Sequence, residues 1–190
     1  MLFLVTGASG SGKSEYAEQL ACNLAKRDGL QKKIYVATME RIGEEAERRI
    51  TRHRKLRAGK GFVTAEAPFG LSGIKSYLPG MKEADLGEAV VLLECLSNLL
   101  ANLMFSRGLD GEEAGKEIRR QIETGRTYYR HLIVVTNEVF SDGVIGADTV
   151  RSYVQALGTV NRHLATLADV FCEVVYTIPA FLKGESLCQF

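Results

Sequence analysis

The feature that most constrains this chain is a glycine-rich loop close to its N-terminus. Residues 7–14 read Gly-Ala-Ser-Gly-Ser-Gly-Lys-Ser and match the pattern G-x-x-x-x-G-K-[ST] in full. An apolar run precedes this phosphate loop, and an amphipathic helical pattern follows it. In that setting the glycines aim successive backbone N–H groups at anionic oxygens, and the helix N-terminus adds partial positive charge. The sequence therefore predicts an α/β protein that binds the phosphates of a nucleoside triphosphate.

Two residues of the loop and two later carboxylates have expected roles around those phosphates. We expect Lys13 to reach the β- and γ-phosphates and the Ser14 hydroxyl to bind Mg²⁺. Glu94 directly follows a hydrophobic run, and a carboxylate at the end of a parallel strand lies where such sheets bind ligands. Glu94 is therefore a second candidate ligand for the metal, although it could instead cap the next helix. Glu138 has a similar place and is a weaker candidate, because a cap or loop role fits it equally well.

Short apolar runs alternate with longer helical patterns along the chain. This alternation predicts one domain over residues 1–190, with a mostly parallel, doubly wound sheet of the P-loop NTPase type and helices on both faces. The expected strands are 2–6, 33–38, 89–93, 132–136 and 171–177, and the expected helices are about 12–28, 42–57, 95–106, 111–128 and 148–168. A further short strand at 62–65 is either antiparallel or at an edge. Asp110 and Asp148 are the expected N-caps of the last two long helices.

Composition excludes several other classes of protein. The net charge of +1 gives no reason to expect nucleic acid or an acidic membrane as a partner. The 4 cysteines are widely spaced without a C-x-x-C pair, which favours reduced thiols over a zinc site or a disulfide framework. No apolar run has the length of a membrane span, and the apolar N-terminus leads straight into the phosphate loop as a strand. We therefore expect a cytoplasmic protein.

The most unusual segment is a strongly basic helical pattern at 48–57. In a helix Arg49, His53 and Arg57 would lie on one face, since they are four residues apart. Neighbouring positive charge favours the neutral imidazole, which is the nucleophilic form, and arginines can stabilise a phosphoryl-type transition state. A solvated helix with an incidental histidine explains the same residues. A nucleic-acid patch is a further alternative, although no aromatic residues are interleaved here.

The chain as a whole resembles a known family, the bifunctional adenosylcobinamide kinase and adenosylcobinamide-phosphate guanylyltransferase family of cobalamin biosynthesis. The likeness extends from Met1 to about Lys183, and the order and spacing of its blocks are more specific than the phosphate loop alone. The blocks are Leu4-Val5-Thr6-Gly7 with the phosphate loop, Tyr35-Val36-Ala37-Thr38, Arg49-Ile50 with His53-Arg54 and Arg57, Thr64-Ala65-Glu66, Leu92-Leu93-Glu94-Cys95-Leu96 with Asn102-Leu103, Val135-Thr136-Asn137-Glu138-Val139, Val160-Asn161-Arg162, Leu164-Ala165 and Ala168-Asp169.

This resemblance implies a two-step reaction. Such enzymes phosphorylate adenosylcobinamide with ATP or GTP, then transfer GMP from GTP through a covalent histidine–GMP intermediate to give adenosylcobinamide-GDP. His53 takes the place of the guanylylated histidine, Lys13 would act on the transferring phosphates, and Ser14 and Glu94 would hold Mg²⁺. The implied nucleotide-binding residues are Gly7, Ala8, Ser9, Gly10, Ser11, Gly12, Lys13, Ser14, Ala37, Thr38, Met39, Arg54, Lys55, Leu56, Arg57, Glu66 and Glu94. The resemblance also implies a homotrimer.

Three departures from the family pattern qualify that expectation. Arg52 stands where the family commonly has a second histidine, and Met39 stands where a serine is frequent. Residues 140–146 depart most, since they have a phenylalanine in place of a glycine and lack a proline. Two alternatives therefore remain, a kinase that no longer uses His53 and a regulatory paralogue that binds nucleotide without chemistry.

Overall fold

A seven-stranded sheet forms the centre of the computed structural model, which describes residues 1–139 and 147–188, without the side chains of Glu45 and Arg49. The strands are β1 (Leu2–Thr6), β2 (Lys32–Ala37), β3 (Phe62–Glu66), β4 (Ala89–Glu94), β5 (His131–Val135), β6 (Val170–Val175) and β7 (Ile178–Lys183). The helices are α1 (Lys13–Arg27), α2 (Gly43–Arg57), α3 (Glu83–Gly87), α4 (Leu96–Ala101), α5 (Gly111–Tyr128) and α6 (Asp148–Leu167). The strands lie in the order β3-β2-β4-β5-β1-β6-β7, and only β7 is antiparallel to its neighbour.

Helices cover both faces of this sheet, which confirms the doubly wound fold. Alternate side chains of a strand point to opposite faces. Phe3 and Val5 of β1 pack against the apolar side of α1, whereas Leu2 and Leu4 join the core formed with α4, α5 and α6. Because both faces are buried, the central strands are continuous apolar runs, as their sequences indicated.

The strands at the two edges of the sheet, β3 and β7, differ in part from the predicted ones. β3 is an edge strand and pairs in parallel with β2, so the antiparallel alternative is wrong. The strand expected at 171–177 ends at Val175, because Tyr176 and Thr177 form a turn and the chain returns as β7. No glycine, asparagine or proline marks this turn in the sequence, and β7 was therefore not predicted.

The N-caps predicted from the sequence agree with the structure for α5 but not for α6. Asp110 is the N-cap of α5, as predicted, and its carboxylate accepts hydrogen bonds from the N–H groups of Glu112 and Glu113 at 2.9 and 2.8 Å. The prediction for Asp148 is wrong: Ala147 is the N-cap of α6, and Asp148 lies in the first turn, where its charge suits the helix dipole.

The helix expected at 95–106 continues beyond α4 as a π-helical turn, Asn102–Ser106. The Asn102 amide at the start of that turn donates to the carbonyl oxygens of Thr38 and Pro68, at 2.7 and 2.8 Å. These tertiary contacts are not visible in a helical periodicity. No helix within residues 1–139 and 147–188 is long and apolar enough to cross a membrane.

Candidate functional site

The phosphate loop joins β1 to α1. Both Gly7 and Gly12 must be glycine, because of their φ angles and because a Cβ would clash with a neighbour. Gly12, the N-cap of α1, has a φ of 90°, and a Cβ there would lie 2.7 Å from Cγ2 of Thr177. A Cβ on Gly7, whose φ is 154°, would lie 2.6 Å from the carbonyl oxygen of Val174. A side chain at either position would therefore have an unfavourable φ and would also clash with a neighbour, which lies at the end of β6 for Gly7 and in the turn after β6 for Gly12. The loop conformation predicted from the motif is present.

Glu94 lies against the start of α1, although β5 separates its strand from β1. The Ser14 hydroxyl donates to Oε1 of Glu94 at 2.7 Å, and the Lys13 ammonium donates to the carbonyl oxygen of Ala8 at 3.0 Å. The N-cap of α4 is Cys95, without a side-chain cap. The alternative in which Glu94 caps this helix is therefore wrong, and its carboxylate contacts the phosphate loop through Ser14.

The electrostatics of this pair fit a divalent cation. Oε2 of Glu94 is buried and has no hydrogen-bond partner among the described residues. Burial raises the pKa of Glu94 to about 7, against the opposing effects of the Ser14 hydrogen bond and the Lys13 charge. Burial also lowers the pKa of Lys13. A hydroxyl and a carboxylate are the oxygen ligands that Mg²⁺ uses beside nucleotide phosphates, so the residues present fit that ion.

No group of three His, Cys, Asp or Glu side chains is close enough to share an ion within the described ranges. A cation held by Ser14 and Glu94 would therefore take further oxygens from a bound nucleotide and from water, as Mg²⁺ commonly does.

A cleft of about 540 Å³ extends from the phosphate loop to α2, and His53 lies in its wall. The structure thus brings the histidine and the phosphate loop into one site. The expected site residues that line this cleft are Ser9, Gly10, Ser11, Gly12, Lys13, Ser14, Ala37, Met39, His53, Leu56, Arg57, Glu66 and Glu94. Gly7 and Ala8 form the back of the loop, where Ala8 accepts the hydrogen bond from Lys13.

Besides Gly7 and Ala8, three expected residues lie outside the described lining of the cleft. Thr38 is fully buried, and its hydroxyl donates to the carbonyl oxygen of Cys95 and accepts from its N–H, both at 2.8 Å. It therefore fastens the end of β2 to the end of β4. Arg54 pairs with Glu66 at 2.6 Å. Lys55 lies in an open depression of about 670 Å³ that is lined by α2 residues only.

The buried guanidinium of Arg57 is held in place by contacts with Tyr35 and Thr64. Its side chain is 8% exposed, its guanidinium carbon lies 4.1 Å from the centre of the Tyr35 ring, and its Nε donates to Oγ1 of Thr64 at 3.3 Å. Within the part of the chain that the structure describes, no carboxylate forms an ion pair with Arg57. A buried charge of this kind is costly unless it is paired, and an anionic ligand in the cleft would pair it.

Several residues in the cleft were not assigned to the site from sequence. They are Glu15, Tyr35, Ile50, Arg52, Cys95, Asn98, Asn137 and Thr177. Cys95 and Asn137 follow β4 and β5 at the ligand-binding edge of the sheet, which is a signal that could have identified them. Thr177 was expected at the carboxyl end of a strand, which is the same signal, but it reaches the cleft from the unpredicted turn after β6. Glu138 is not among the described lining residues, and its N–H donates to the carbonyl oxygen of Gly7 at 3.2 Å. The divergent segment 140–146 lies outside the described residues.

Comparison with solved structures supports the fold. The chain is similar to the KaiC-like protein PH0186 from the hyperthermophilic archaeon Pyrococcus horikoshii OT3, with a TM-score of 0.50 and 14% identity over 90% of this chain and 69% of that one. At this level of identity the likeness concerns the arrangement of the sheet and its helices alone.

Comparison of sequences identifies the family. Residues 3–182 match the family model described as CobU, cobinamide kinase / cobinamide phosphate guanyltransferase. The bifunctional adenosylcobalamin biosynthesis protein CobU of Escherichia coli (strain K12) is 30% identical over 195 residues, covering 96% of this chain and 100% of that protein. The protein of the same name from Salmonella typhimurium (strain LT2) is 29% identical over the same shares. The chain therefore belongs to the CobU family, whose members are bifunctional kinases and guanylyltransferases of cobalamin biosynthesis.

Proposed function

We propose that this protein phosphorylates adenosylcobinamide with ATP or GTP, and then transfers GMP from GTP to the new phosphate through a covalent intermediate on His53. The product is adenosylcobinamide-GDP. The observation that supports this proposal most directly is that one cleft contains both the phosphate loop and His53. A triphosphate bound to the loop would therefore share its cleft with His53.

The phosphate loop serves the first reaction. Its N–H groups and Lys13 hold the β- and γ-phosphates while the hydroxyl of the corrinoid side chain attacks the γ-phosphorus. The bond from that phosphorus to the bridging oxygen breaks, the nucleoside diphosphate leaves, and the hydroxyl proton is released. Mg²⁺, held by Ser14 and Glu94, would neutralise negative charge on the phosphate oxygens when bound.

His53 serves the second reaction. A neutral imidazole nitrogen attacks the α-phosphorus of GTP, and the bond to the bridging oxygen breaks so that pyrophosphate leaves. A phosphate oxygen of adenosylcobinamide phosphate then attacks the same phosphorus and releases the histidine. Arg57 and Arg52 line the cleft with His53, and their charges would stabilise the negative charge that develops on the phosphoryl oxygens.

The products formed from adenosylcobinamide, ATP, GTP and Mg²⁺ test the proposal. We expect mass spectrometry to find adenosylcobinamide-GDP with the unaltered protein and adenosylcobinamide phosphate alone with His53→Ala. His163→Ala is the matched control, because His163 lies outside the cleft lining and pairs with Glu123 at 2.8 Å. This control is expected to make the full product.

Two other outcomes would select the alternatives. If the unaltered protein stops at adenosylcobinamide phosphate, it is a kinase only. If adenosylcobinamide causes no release of nucleoside diphosphate, the protein is a regulatory paralogue. Through its family likeness we also propose a cytoplasmic homotrimer.

A further inference from the structure

We propose that the turn between β6 and β7 forms a platform for the base of the phosphoryl-donor nucleotide, with the Tyr176 ring stacking on that base. Nothing in the phosphate-loop motif or the family resemblance assigns this turn to the site. The inference rests on the proposed function, since it concerns the nucleotide whose phosphates bind to residues 7–14. It adds a second nucleoside position, separate from the one beside His53.

The first observation is the conformation of the turn. Val175 pairs with Ile178, so Tyr176 and Thr177 form a two-residue hairpin loop. Their φ angles are 48° and 68°, in the left-handed region that such a turn requires. Asn-Gly suits this geometry, whereas an aromatic and a β-branched residue are unfavourable there. Unfavourable backbone of this kind concentrates at ligand sites, where the side chains have a use besides folding.

The second observation is that the turn is fastened to the phosphate loop. The Thr177 N–H donates to the carbonyl oxygen of Ser11 at 2.8 Å. The Thr177 side chain also occupies the space beside Gly12, where a built Cβ would lie 2.7 Å from Cγ2. Thr177 lines the cleft itself. The position of the turn is therefore fixed relative to any phosphate held by the loop.

The third observation is the exposure of Tyr176. This residue is 88% exposed, the largest value among the exposed large apolar side chains of the described residues. Its ring takes part in none of the aromatic pairs found there. A phenol ring that the fold does not bury, next to a fixed phosphate site, is available to stack on a flat ligand.

The sheet order places the two nucleoside positions on opposite sides of the phosphate loop. The phosphate loop follows β1, whereas α2 connects β2 to β3 at one edge and the turn joins β6 to β7 at the other. Guanylyl transfer needs the α-phosphorus at His53, which places the guanosine toward α2. Phosphoryl transfer needs only the γ-phosphorus near the acceptor, and the nucleoside can then extend toward Tyr176.

A stacking platform has a consequence for donor choice. Every base has a π-face, so stacking on a tyrosine distinguishes adenine from guanine weakly. The platform therefore accepts either ATP or GTP as phosphoryl donor, while the histidine side remains responsible for the choice of GTP in the second reaction.

Three variants test the platform. Tyr176→Asn removes the ring and suits the left-handed turn better, so loss of binding cannot be attributed to a collapsed hairpin. Tyr176→Phe keeps the ring. Leu182→Asn is the control, because Leu182 lies on the same hairpin away from its tip and is 62% exposed. Calorimetry measures the Kd for AMP-PNP with Mg²⁺, and covalent labelling of His53 by α-labelled GTP gives the half-saturating GTP concentration.

We expect Tyr176→Asn to raise the Kd for AMP-PNP about tenfold, which corresponds to about 1.4 kcal/mol. Tyr176→Phe and Leu182→Asn should change it less than about twofold. The half-saturating GTP concentration should be unchanged in all three variants. An unchanged Kd in Tyr176→Asn would overturn the platform, and so would an equal rise in the Kd for AMP-PNP and in the half-saturating GTP concentration. Absence of labelling even in the unaltered protein would contradict guanylyl transfer alone, because the AMP-PNP comparison does not depend on it.

Discussion

The buried carboxyl group of Glu94 opposes folding once it is ionised. Burial moves its pKa from an ordinary value of 4.5 to about 7, so the folded protein holds this proton more tightly than the unfolded chain does. The carboxyl is protonated in both states below pH 4.5 and ionised in both above about pH 7. The stability of the folded protein therefore decreases as the pH rises between these values.

We predict that Glu94→Gln stabilises the ligand-free protein at pH 8 by about 2 kcal/mol, because the amide removes a buried charge. The lost attraction to Lys13 offsets part of this gain. Urea unfolding at pH 5 and pH 8 should show a larger difference from the unaltered protein at the higher pH, and kinase turnover should decrease at least tenfold. A stability difference that is the same at both pH values would contradict the role given to the Glu94 charge.

Substitution of Gly12 tests the contact between the phosphate loop and Thr177. We predict that Gly12→Ala raises the Kd for AMP-PNP more than tenfold and destabilises the protein by about 2 kcal/mol, because the new methyl group meets Thr177 as well as an unfavourable φ. Gly29→Ala is the matched control, since its φ is 68° but a Cβ there would have no neighbour within 4 Å. If calorimetry and urea unfolding find the two variants equally impaired, contact with the turn is not what requires Gly12.

Among the elements, the segment that follows α2 is joined to α1 by an ion pair whose carboxylate is buried. Lys60, just after α2, lies 2.6 Å from Oε2 of Glu18 on α1, and the Glu18 side chain is fully buried. We predict that Lys60→Met decreases the free energy of unfolding by about 3 kcal/mol, because it leaves a carboxylate buried without its partner. Guanylylation of His53 should slow as the end of α2 loosens.

Two comparisons test this account of the ion pair by urea unfolding. Adding Glu18→Leu to Lys60→Met should recover most of the lost stability, since no unpaired charge then remains. Lys116→Met breaks an exposed pair with Glu112 and should cost less than about 0.5 kcal/mol. An equal cost for Lys60→Met and Lys116→Met would contradict the importance given to the buried pair.

The elements also show what the sequence could predict. β1 agrees with expectation, and the strands beside it agree within a residue or two, because a strand buried on both faces is a continuous apolar run with clear limits. β7 was missed because its turn uses Tyr176 and Thr177, whose preferences oppose a left-handed turn. The π-helical turn after α4 depends on contacts of Asn102 with distant carbonyl groups, which no periodicity reports.

Some residues of the candidate site could likewise be predicted from the sequence, and others could not. The phosphate loop was predictable from a motif, and Glu94 from its place after a strand. His53 was not decided by its local sequence, and the family resemblance singled it out. Thr177 and Asn98 reach the cleft only through the packing of whole elements, so their contribution could not be predicted.

At the level of the whole molecule, the sheet order places the phosphate loop between α2 and the β6–β7 turn. β1 lies between β5 and β6, so the phosphate loop emerges inside the sheet and not at its edge. α2 brings His53 to the cleft from one side, and the β6–β7 turn brings Thr177 from the other. A triphosphate bound to the loop would therefore lie between His53 and Thr177 in the cleft.

Covalent labelling tests whether His53 forms a bond to GMP. The protein is incubated with Mg²⁺ and GTP labelled at the α-phosphate, then denatured and examined for retained label. We predict label that is lost in acid and stable in base, as expected of a phosphorus–nitrogen bond, absent in His53→Ala and present in His163→Ala. Absence of label at GTP concentrations that saturate binding, or label retained by His53→Ala, would contradict this account.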